Sequence, residues 1–298
     1  MKGGGSDLDR RFSFCGKKYY HTRKAREVKV MKVGIIGYGS MGKMLLWKFS
    51  GAGIKKEDLY VANRTSGKLD EAQDIAVISN NKEAASKGDI VFVCVRPVDL
   101  KDVLSEIGPA LKDDALLVTL NGSITFDMIE KAVDHKTAKV IPSLTAEIDR
   151  SQTIVCYNGK VTDNDKTNLA SVLKTIGDVI ELPENEVGMG SELVSCMPGF
   201  IASIFDVICR SAQKHTEIPY EQVVSMVLKT MSATGDLMLE KGMSFEDTVS
   251  RVATKGGITE EGTKVIYDLF PQVADMMFEK TLEKRKLTAQ KAKESFGR

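Results

Sequence analysis

Short apolar runs alternate with helical patterns between Lys32 and Leu182. The first run, Lys32 to Ile36, ends in glycines, and a helical pattern follows over Lys43–Phe49. Further short runs have the length and β-branched content of buried strands; they are Leu59–Ala62, Asp89–Val95, Leu116–Leu120, Lys139–Ile141 and Thr153–Tyr157. Because parallel strands need crossover connections, this alternation predicts an α/β fold with a doubly wound sheet. Asp178–Leu182 is predicted as one more edge strand, and it could run antiparallel.

The pattern changes from Asn185 onward, where long helical periodicities replace the strand-like runs. We expect helices over Ser203–Gln213, Tyr220–Lys241, Ser244–Arg251 and Gly262–Lys284. The sequence therefore predicts two domains, a nucleotide-binding domain over residues 31–184 and an all-helical substrate and dimerisation domain over residues 185–298. Apolar faces on so small a helical domain favour a homodimer or a higher homo-oligomer, because a partner would complete its core.

A glycine motif marks the first strand-to-helix turn of the chain. Residues 31–42 read MKVGIIGYGSMG, in which Gly37 suits a tight turn, Gly39 a close approach of phosphates and Gly42 a close helix–strand contact. An apolar strand before the glycines and a helix after them give this motif the setting of a Rossmann-type domain. We expect a dinucleotide pyrophosphate at the N-terminus of that helix. The alternative is a purely structural glycine-rich turn.

The end of the second strand bears on the choice of cofactor. In NAD-binding domains an acidic residue lies about 20 positions past the glycines; here Asn63, Arg64, Thr65 and Ser66 follow Ala62. Arginine can donate paired hydrogen bonds to phosphate oxygens, so these residues favour NADP(H), with NAD(H) still possible. The alternative is a solvated polar loop.

The composition of the chain limits the class of protein, its partners and its cellular compartment. The chain has 298 residues, 42% of them hydrophobic, and a net charge of +1, which fits a two-domain enzyme and gives no case for a nucleic-acid or membrane partner. Five cysteines without C-x-x-C spacing favour reduced thiols, a cytoplasmic location and no metal. We expect the basic residues 1–30 to be a disordered extension; a weak nucleic-acid or membrane-surface arm is the alternative.

Six motifs in this order resemble those of the pyrroline-5-carboxylate reductase family, over a stretch from about residue 31 to the C-terminus. They are the glycine turn, Asn81-Lys82-Glu83-Ala84 leading to Gly88-Asp89-Ile90-Val91, Val95-Arg96-Pro97, Val140-Ile141-Pro142-Ser143, Val194 to Phe200, and Lys255-Gly256-Gly257-Ile258-Thr259. The resemblance implies NAD(P)H-dependent reduction of the cyclic imine 1-pyrroline-5-carboxylate to L-proline. It also implies a Rossmann domain joined to a helical dimerisation domain.

The resemblance also implies roles for individual residues on the cofactor side. Residues along the phosphates would be Gly37, Tyr38, Gly39, Ser40 and Met41, and those near the adenosine ribose Asn63, Arg64, Thr65 and Asn81. Val95, Arg96 and Pro97 would end the strand beneath the nicotinamide, with Arg96 where the family has lysine.

On the substrate side, a Gly-Gly pair followed by threonine can direct backbone N–H groups and a hydroxyl toward a small anion. Gly256 and Gly257 would bind the substrate carboxylate, with Ile258 and Cys196 beside the substrate, and Thr259 would donate to the ring nitrogen. Taken alone, residues 255–259 also fit a helix-connecting turn with Thr259 as the N-cap.

The substrate-side motifs depart from the usual family pattern. The chain has Ile-Pro-Ser for Met-Pro-Asn at residues 141–143, Cys196 and Met197 where the family has serine and glycine, and Lys-Gly-Gly-Ile for Pro-Gly-Gly-Thr at residues 255–258. Such changes resemble a divergent branch of the family associated with late-competence operons. They leave two alternatives open, namely a non-catalytic NADP-binding regulator and an imine reductase of another specificity.

Overall fold

The computed structural model describes residues 31–297, apart from the side chain of Ser295, so the prediction for residues 1–30 lies outside the described part. Within that part, one sheet has the strand order β3-β2-β1-β4-β5-β6-β7-β8. The strands are β1 (Val33–Ile36), β2 (Leu59–Ala62), β3 (Val77–Ile78), β4 (Ile90–Val93), β5 (Leu116–Thr119), β6 (Thr137–Ile141), β7 (Ser151–Tyr157) and β8 (Gly177–Glu181). The first six have the order of a Rossmann sheet, which confirms the predicted fold class.

The central strands explain why their sequences read as unbroken apolar runs. Every residue of β1, β4 and β5 is buried, as expected for parallel strands that helices cover on both faces. In the pairing register, Ile36 at the end of β1 lies beside Ala62 of β2 and Val93 of β4. The loops that follow β1, β2 and β4 therefore leave the sheet at the same edge.

The direction of β7 differs from the prediction. It pairs antiparallel with β6, whereas the alternation of strands and helices predicts a parallel strand here. The reason is the length of the connection: residues 142–150 are too few for a crossover, so the chain returns alongside β6. The predicted edge position of β8 is confirmed, and β8 runs parallel to β7, opposite in direction to β1–β6.

Ten α-helices accompany these strands in residues 31–297. They are α1 (Ser40–Gly51), α2 (Asn81–Lys87), α3 (Leu100–Ile107), α4 (Phe126–Ala132), α5 (Asp163–Leu173), α6 (Val187–Ser191), α7 (Met197–Ala212), α8 (Tyr220–Lys241), α9 (Phe245–Val252) and α10 (Ile258–Gly297). The helix predicted over Tyr220–Lys241 is confirmed at both ends, whereas α10 is longer than predicted. A π-helical turn, Glu192–Cys196, separates α6 from α7.

The described residues form two compact units, residues 31–201 with 275–297, and residues 202–274. The first unit contains the sheet, and its core includes Ala292 and Phe296 from the end of α10. The second is helical, and it buries little of its apolar surface: Val223 is the single buried residue of α8. The predicted division after residue 184 stays a prediction, although the change from strands to helices falls between Glu181 and Val187.

Candidate active site

The turn after β1 has the geometry that its three glycines predict. Gly37 has a φ of +101°, and a Cβ there would lie 3.0 Å from the carbonyl carbon of Cys94. A Cβ on Gly42 would lie 2.0 Å from the carbonyl oxygen of Gly37, so α1 packs directly on the turn. Around Gly39, in contrast, a Cβ would meet nothing within 4 Å. The turn is therefore closed against the sheet at Gly37 and Gly42 and open at Gly39.

The N-terminus of α1 is free to receive an anion. Gly39 is its N-cap, no side chain caps it, and its first turn contains no acidic residue. The leading N–H groups of a helix have no partner within the helix, and the helix dipole adds positive potential there. Ser40 and Met41 carry such groups, and Ser40 is exposed. These residues fit a pyrophosphate, the group that a nucleotide cofactor would place here.

Tyr38 contributes to this turn differently from its neighbours. Its side chain is buried in the core, and its hydroxyl accepts a 3.0 Å hydrogen bond from Trp47 Nε1. Burial raises the pKa of this phenol. The backbone N–H of Tyr38 donates to Asn63 Oδ1 at 3.0 Å, which links the β1 turn to the end of β2. Sequence reasoning assigned Tyr38 to the phosphates; its side chain packs away from the open part of the turn.

The end of β2 places an exposed cation near the turn. Asn63 Nδ2 donates to the carbonyl oxygen of Thr65 at 3.0 Å. Both the oxygen and the nitrogen of the Asn63 side-chain amide therefore form hydrogen bonds that hold this loop. The side chain of Arg64 is 84% exposed, and its Nη1 lies 3.8 Å from Asp99 Oδ1. Arg96 Nε donates to the other oxygen of Asp99 at 2.8 Å. Asp99, which sequence reasoning missed, therefore brings the two arginines to one carboxylate.

The loop after β4 is held by a buried amide. Asn121, just beyond β5, donates from Nδ2 to the carbonyl oxygen of Val95 at 3.2 Å and to Thr119 Oγ1 at 3.2 Å. Pro97 then begins a short 3₁₀ turn that ends at Asp99. Asn121 is not among the residues predicted for the site, and the signal that could have found it is its position directly after the apolar run of residues 116–120.

Cys94 and Asn81 are less directly engaged with this edge. Burial raises the pKa of the Cys94 thiol to about 12, so it is not a nucleophile at neutral pH. Asn81 is the first residue of α2, and its Nδ2 donates to Glu106 of α3 at 2.8 Å. Its predicted position near the ribose stays a prediction.

The π-helical turn contains a buried ion pair beside Cys196. Glu192 is 1% exposed, and its Oε1 accepts from Arg285 Nε at 3.1 Å and from Arg285 Nη2 at 2.7 Å. Ser191 Oγ also accepts from Arg285 Nη2, at 3.0 Å. Burial, followed by the negative charge of Glu192, raises the pKa of the Cys196 thiol. Cys196 is thus a neutral thiol in a polar surrounding, and π-helical turns are frequent at functional sites.

The bend at residues 255–259 lies in the other compact unit. Gly256 has a φ of +73°, and α10 begins at Ile258, so Thr259 stands within the first helical turn and is not the N-cap. Gly257 N–H donates to the carbonyl oxygen of Thr254 at 2.8 Å, and Gly256 N–H donates to Glu260 Oε2 at 2.7 Å. The Ile258 side chain is exposed. Both glycine N–H groups assigned to a substrate thus have partners within the bend and its helix.

A cavity of about 630 Å³ lies elsewhere in the first unit. Its wall includes Phe126, Tyr157 and Glu184, and it contains none of the predicted site residues. Fully buried Lys139 forms an ion pair with Glu184, and its Nζ lies 4.5 Å from the centre of the Phe126 ring. Its wall belongs to α4 and to the ends of β7 and β8. The cavity is therefore separate from the glycine turn.

Residues 31–297 contain no arranged metal ligands and one helical segment with the composition of a membrane helix. In that range no group of three or more His, Cys, Asp and Glu side chains is arranged to hold a metal ion. One helical segment, residues 184–215, is long and apolar enough to cross a membrane by length and composition, and little of it is buried. Such a segment is weak evidence for a membrane helix, since an apolar helix that packs on another protein chain has the same composition.

Comparison with family models divides the chain in two. A model described as NADP oxidoreductase, coenzyme F420-dependent, matches residues 32–122, and a model described as pyrroline-5-carboxylate reductase dimerisation matches residues 184–287. The second match includes the whole of the apolar segment 184–215.

Known proteins match over most of the chain. Pyrroline-5-carboxylate reductase 3 of Bacillus subtilis is 31% identical over 261 residues, which cover 86% of this chain and 96% of that protein. ComE operon protein 4 of the same species is 24% identical and covers 82% of this chain and 92% of that protein. Among solved structures, Plasmodium falciparum pyrroline carboxylate reductase with NADP bound has a TM-score of 0.78 at 23% identity, covering 87% of this chain and 98% of that one, and so shares the fold. The extent and identity of the Bacillus reductase match show that this chain belongs to the pyrroline-5-carboxylate reductase family of oxidoreductases.

Proposed function

We propose that this protein reduces 1-pyrroline-5-carboxylate to L-proline, with NADP(H) preferred over NAD(H). The observation that carries the proposal is the uncapped N-terminus of α1 beside the open backbone of Gly39, in a chain 31% identical to a pyrroline-5-carboxylate reductase. The helix terminus provides a binding site for the pyrophosphate of a dinucleotide. The identity to a pyrroline-5-carboxylate reductase indicates that the substrate is the cyclic imine. When bound, the cofactor supplies the hydride that the imine carbon receives.

The residues around the glycine turn would each hold one part of the cofactor. The backbone at Gly37, Tyr38 and Gly39 and the first N–H groups of α1, at Ser40 and Met41, would bind the phosphates. Near the adenosine ribose we place Asn63, Thr65 and Asn81, with the exposed guanidinium of Arg64 paired with the 2′-phosphate. Val95, Arg96 and Pro97 would form the surface under the nicotinamide. The hydrogen bond from Asn121 to Val95 supports that surface.

On the substrate side, the residues of the bend have separate tasks. Gly256 and Gly257 would bind the carboxylate, with the N–H of Gly256 as the donor, and Ile258 and Cys196 would contact the ring. The Thr259 hydroxyl would donate to the imine nitrogen and orient the neighbouring carbon for hydride transfer. The nitrogen gains its proton from water, which balances the reduction.

We further propose that the protein works as a homo-oligomer in the cytoplasm, at least a dimer. Residues 184–287 match a dimerisation model, and the helical unit leaves large apolar side chains exposed. Cys94, Cys156, Cys196 and Cys209 are all unpaired, which is compatible with a reducing compartment.

The direct test is the fall of NADPH absorbance on addition of 1-pyrroline-5-carboxylate to the full chain. We expect turnover in the wild type and a loss of about a hundredfold in kcat/KM for Thr259→Ala, because one hydrogen bond to the reacting group is removed. Thr248→Ala, which changes a half-buried threonine of α9, is the matched control and should retain wild-type rates. Absence of turnover in the wild type despite NADPH binding would contradict the reductase proposal.

A second candidate is a non-catalytic NADP-binding regulator. It is favoured by the hydrogen bond between Gly256 and Glu260, since this bond occupies a donor that the reductase needs for its substrate. A third, an imine reductase of another specificity, would be indicated by activity on 1-piperideine-2-carboxylate and not on the five-membered ring.

A further inference from the structure

The bend at residues 255–259 already holds a carboxylate. Glu260, in the first turn of α10, reaches back so that its Oε2 accepts the backbone N–H of Gly256 at 2.7 Å. This distance is in the range of charge-assisted hydrogen bonds to carboxylates. Gly256 has a positive φ, which a non-glycine residue would adopt only at a cost in free energy.

The bond occupies the same donor that the proposed reaction requires. A substrate carboxylate at the Gly-Gly pair would need the N–H of Gly256, because the N–H of Gly257 is used by Thr254 within the turn. Two carboxylates cannot share one N–H, and a second negative charge next to Glu260 would be repelled. Binding of an anionic substrate therefore requires the side chain of Glu260 to leave.

The surroundings of Glu260 allow that movement. Its side chain is 33% exposed, so it is in contact with solvent and not locked in a core. Lys264, one turn further along α10, has its Nζ 3.9 Å from Glu260 Oε2 and 2.7 Å from Glu261 Oε1. A displaced Glu260 carboxylate would thus meet an ammonium group at the (i, i+4) position on the same helix face.

We propose that Glu260 is an intramolecular competitor for the substrate carboxylate and sets the affinity of this bend for anionic cyclic imines. The proposal rests on the proposed function, since it assigns the Gly256 N–H to the substrate. Glu260 would then be a specificity-determining residue. A substrate carboxylate only replaces the hydrogen bond that Glu260 already makes, so a substrate gains net binding energy only through contacts of its other groups.

The test compares three full-length variants with NADPH bound. Glu260→Ala frees the Gly256 N–H, Glu260→Gln keeps an acceptor without the charge, and Glu261→Ala removes a neighbouring carboxylate that is 71% exposed and pairs with Lys264. We expect the KM for 1-pyrroline-5-carboxylate to fall about tenfold in Glu260→Ala and less in Glu260→Gln, with kcat unchanged. Glu261→Ala should stay within about twofold of the wild type. A purely structural role of Glu260 would instead leave KM unchanged or raise it.

Binding of L-proline, measured by calorimetry on the NADPH-bound proteins, separates this proposal from the reductase proposal. Tighter L-proline binding by Glu260→Ala than by the wild type supports the competitor role even if none of the proteins turns over the imine, in which case the reductase proposal alone fails. Equal binding, or no binding by any of the proteins, would overturn the competitor role. NADPH affinity serves as the control for folding, because none of the residues proposed to hold the cofactor lies in the bend.

Discussion

Arg285 and Glu192 join two distant parts of the chain in a pair whose carboxylate is buried. Both hydrogen bonds that Glu192 accepts from Arg285 go to its Oε1, while its other oxygen, Oε2, is buried without a hydrogen-bond partner. The pair ties α10 to the π-helical turn next to Cys196. A carboxylate that is half satisfied inside a protein depends strongly on its one cation.

Removal of that cation should therefore be costly. We expect Arg285→Ala to lower the free energy of unfolding by about 3 kcal/mol, because an unpaired charge remains at Glu192. The double variant Glu192→Leu with Arg285→Leu should recover most of this loss, since it removes both charges together. Urea unfolding followed by circular dichroism measures both.

An exposed ion pair on the same helix provides the control. Lys280 and Glu283 face solvent, and Glu283→Ala should change the free energy of unfolding by less than about 0.5 kcal/mol. If Arg285→Ala proved as mild as Glu283→Ala, the buried pair would not be a determinant of stability.

Asp165 gives the sheet domain a pH-dependent contribution to stability. Its Oδ2 accepts from the backbone N–H of Thr162 at 2.9 Å and from the Thr162 hydroxyl at 2.7 Å, and Lys136 Nζ lies 3.3 Å away. Burial pushes the pKa of Asp165 upward, but the hydrogen bonds and the charge of Lys136 outweigh it, and the pKa is lowered overall. The folded state therefore favours the ionised carboxylate.

Substitution of Asp165 should lower the free energy of unfolding at neutral pH and not in strong acid. Because the folded-state pKa is lowered, the stabilisation is complete above the unfolded pKa of about 3.9 and disappears as pH falls through the folded value. Asp165→Asn should cost about 1 to 2 kcal/mol at neutral pH through loss of the cap, with the gap to the wild type narrowing below about pH 4. Asp114→Asn removes a fully exposed partner of the same Lys136 and should show neither effect in urea titrations across pH. A gap that widened in acid would contradict the assignment.

Arg64 provides a test of cofactor preference. Its guanidinium is exposed, and its Nη1 lies 3.8 Å from Asp99 Oδ1, so it can rotate onto a 2′-phosphate. We expect Arg64→Ala to weaken NADPH binding about tenfold and to leave NADH binding unchanged, as measured by quenching of Trp47 fluorescence or by calorimetry. Lys68→Ala removes another exposed cation from the same loop and should leave both affinities near wild type. An equal loss for both cofactors would show that Arg64 does not distinguish them.

The sheet could be predicted from the sequence more fully than the site. Buried parallel strands such as Ile90–Val93 are apolar throughout, so a one-dimensional pattern identifies them. The direction of β7 depends on the length of the connection that precedes it. The pattern of residues 151–157 gives no information on that length. Short strands such as Val77–Ile78 are missed because two residues carry no periodicity.

At the site, Gly37 and Gly42 were predictable because each position has a steric requirement that only glycine meets. Contacts between distant residues were not predictable, because they depend on where elements meet in space. Asp99 meets Arg64 across the ends of β2 and β4, and Glu192 meets Arg285 over 93 positions of sequence. The Gly256 and Glu260 bond is local, but a glutamate at the start of a helix predicts only a favourable dipole interaction, not which N–H it will hold.

The exposed apolar side chains of the helical unit lead to a prediction on assembly. Phe245 is 79% exposed, and Val207 and Tyr267 are also exposed, although water-exposed aromatic and branched side chains in such number are costly for a single soluble chain. A second copy that covers them would remove this cost, and the dimerisation model matches the stretch that contains all three. Charged replacements should therefore weaken self-association through desolvation of the new charges.

We expect Val207→Asp combined with Tyr267→Asp to shift the protein from a dimer or larger species to a monomer in sedimentation velocity at micromolar concentration. Ile148→Asp is the matched control, since Ile148 is equally exposed but lies outside residues 184–287, and it should leave the sedimentation coefficient unchanged. NADPH binding should survive in the Val207→Asp and Tyr267→Asp double variant because the glycine turn lies in the other compact unit. A wild-type protein that sediments as a monomer would contradict the interface, and the apolar segment 184–215 would then need another partner.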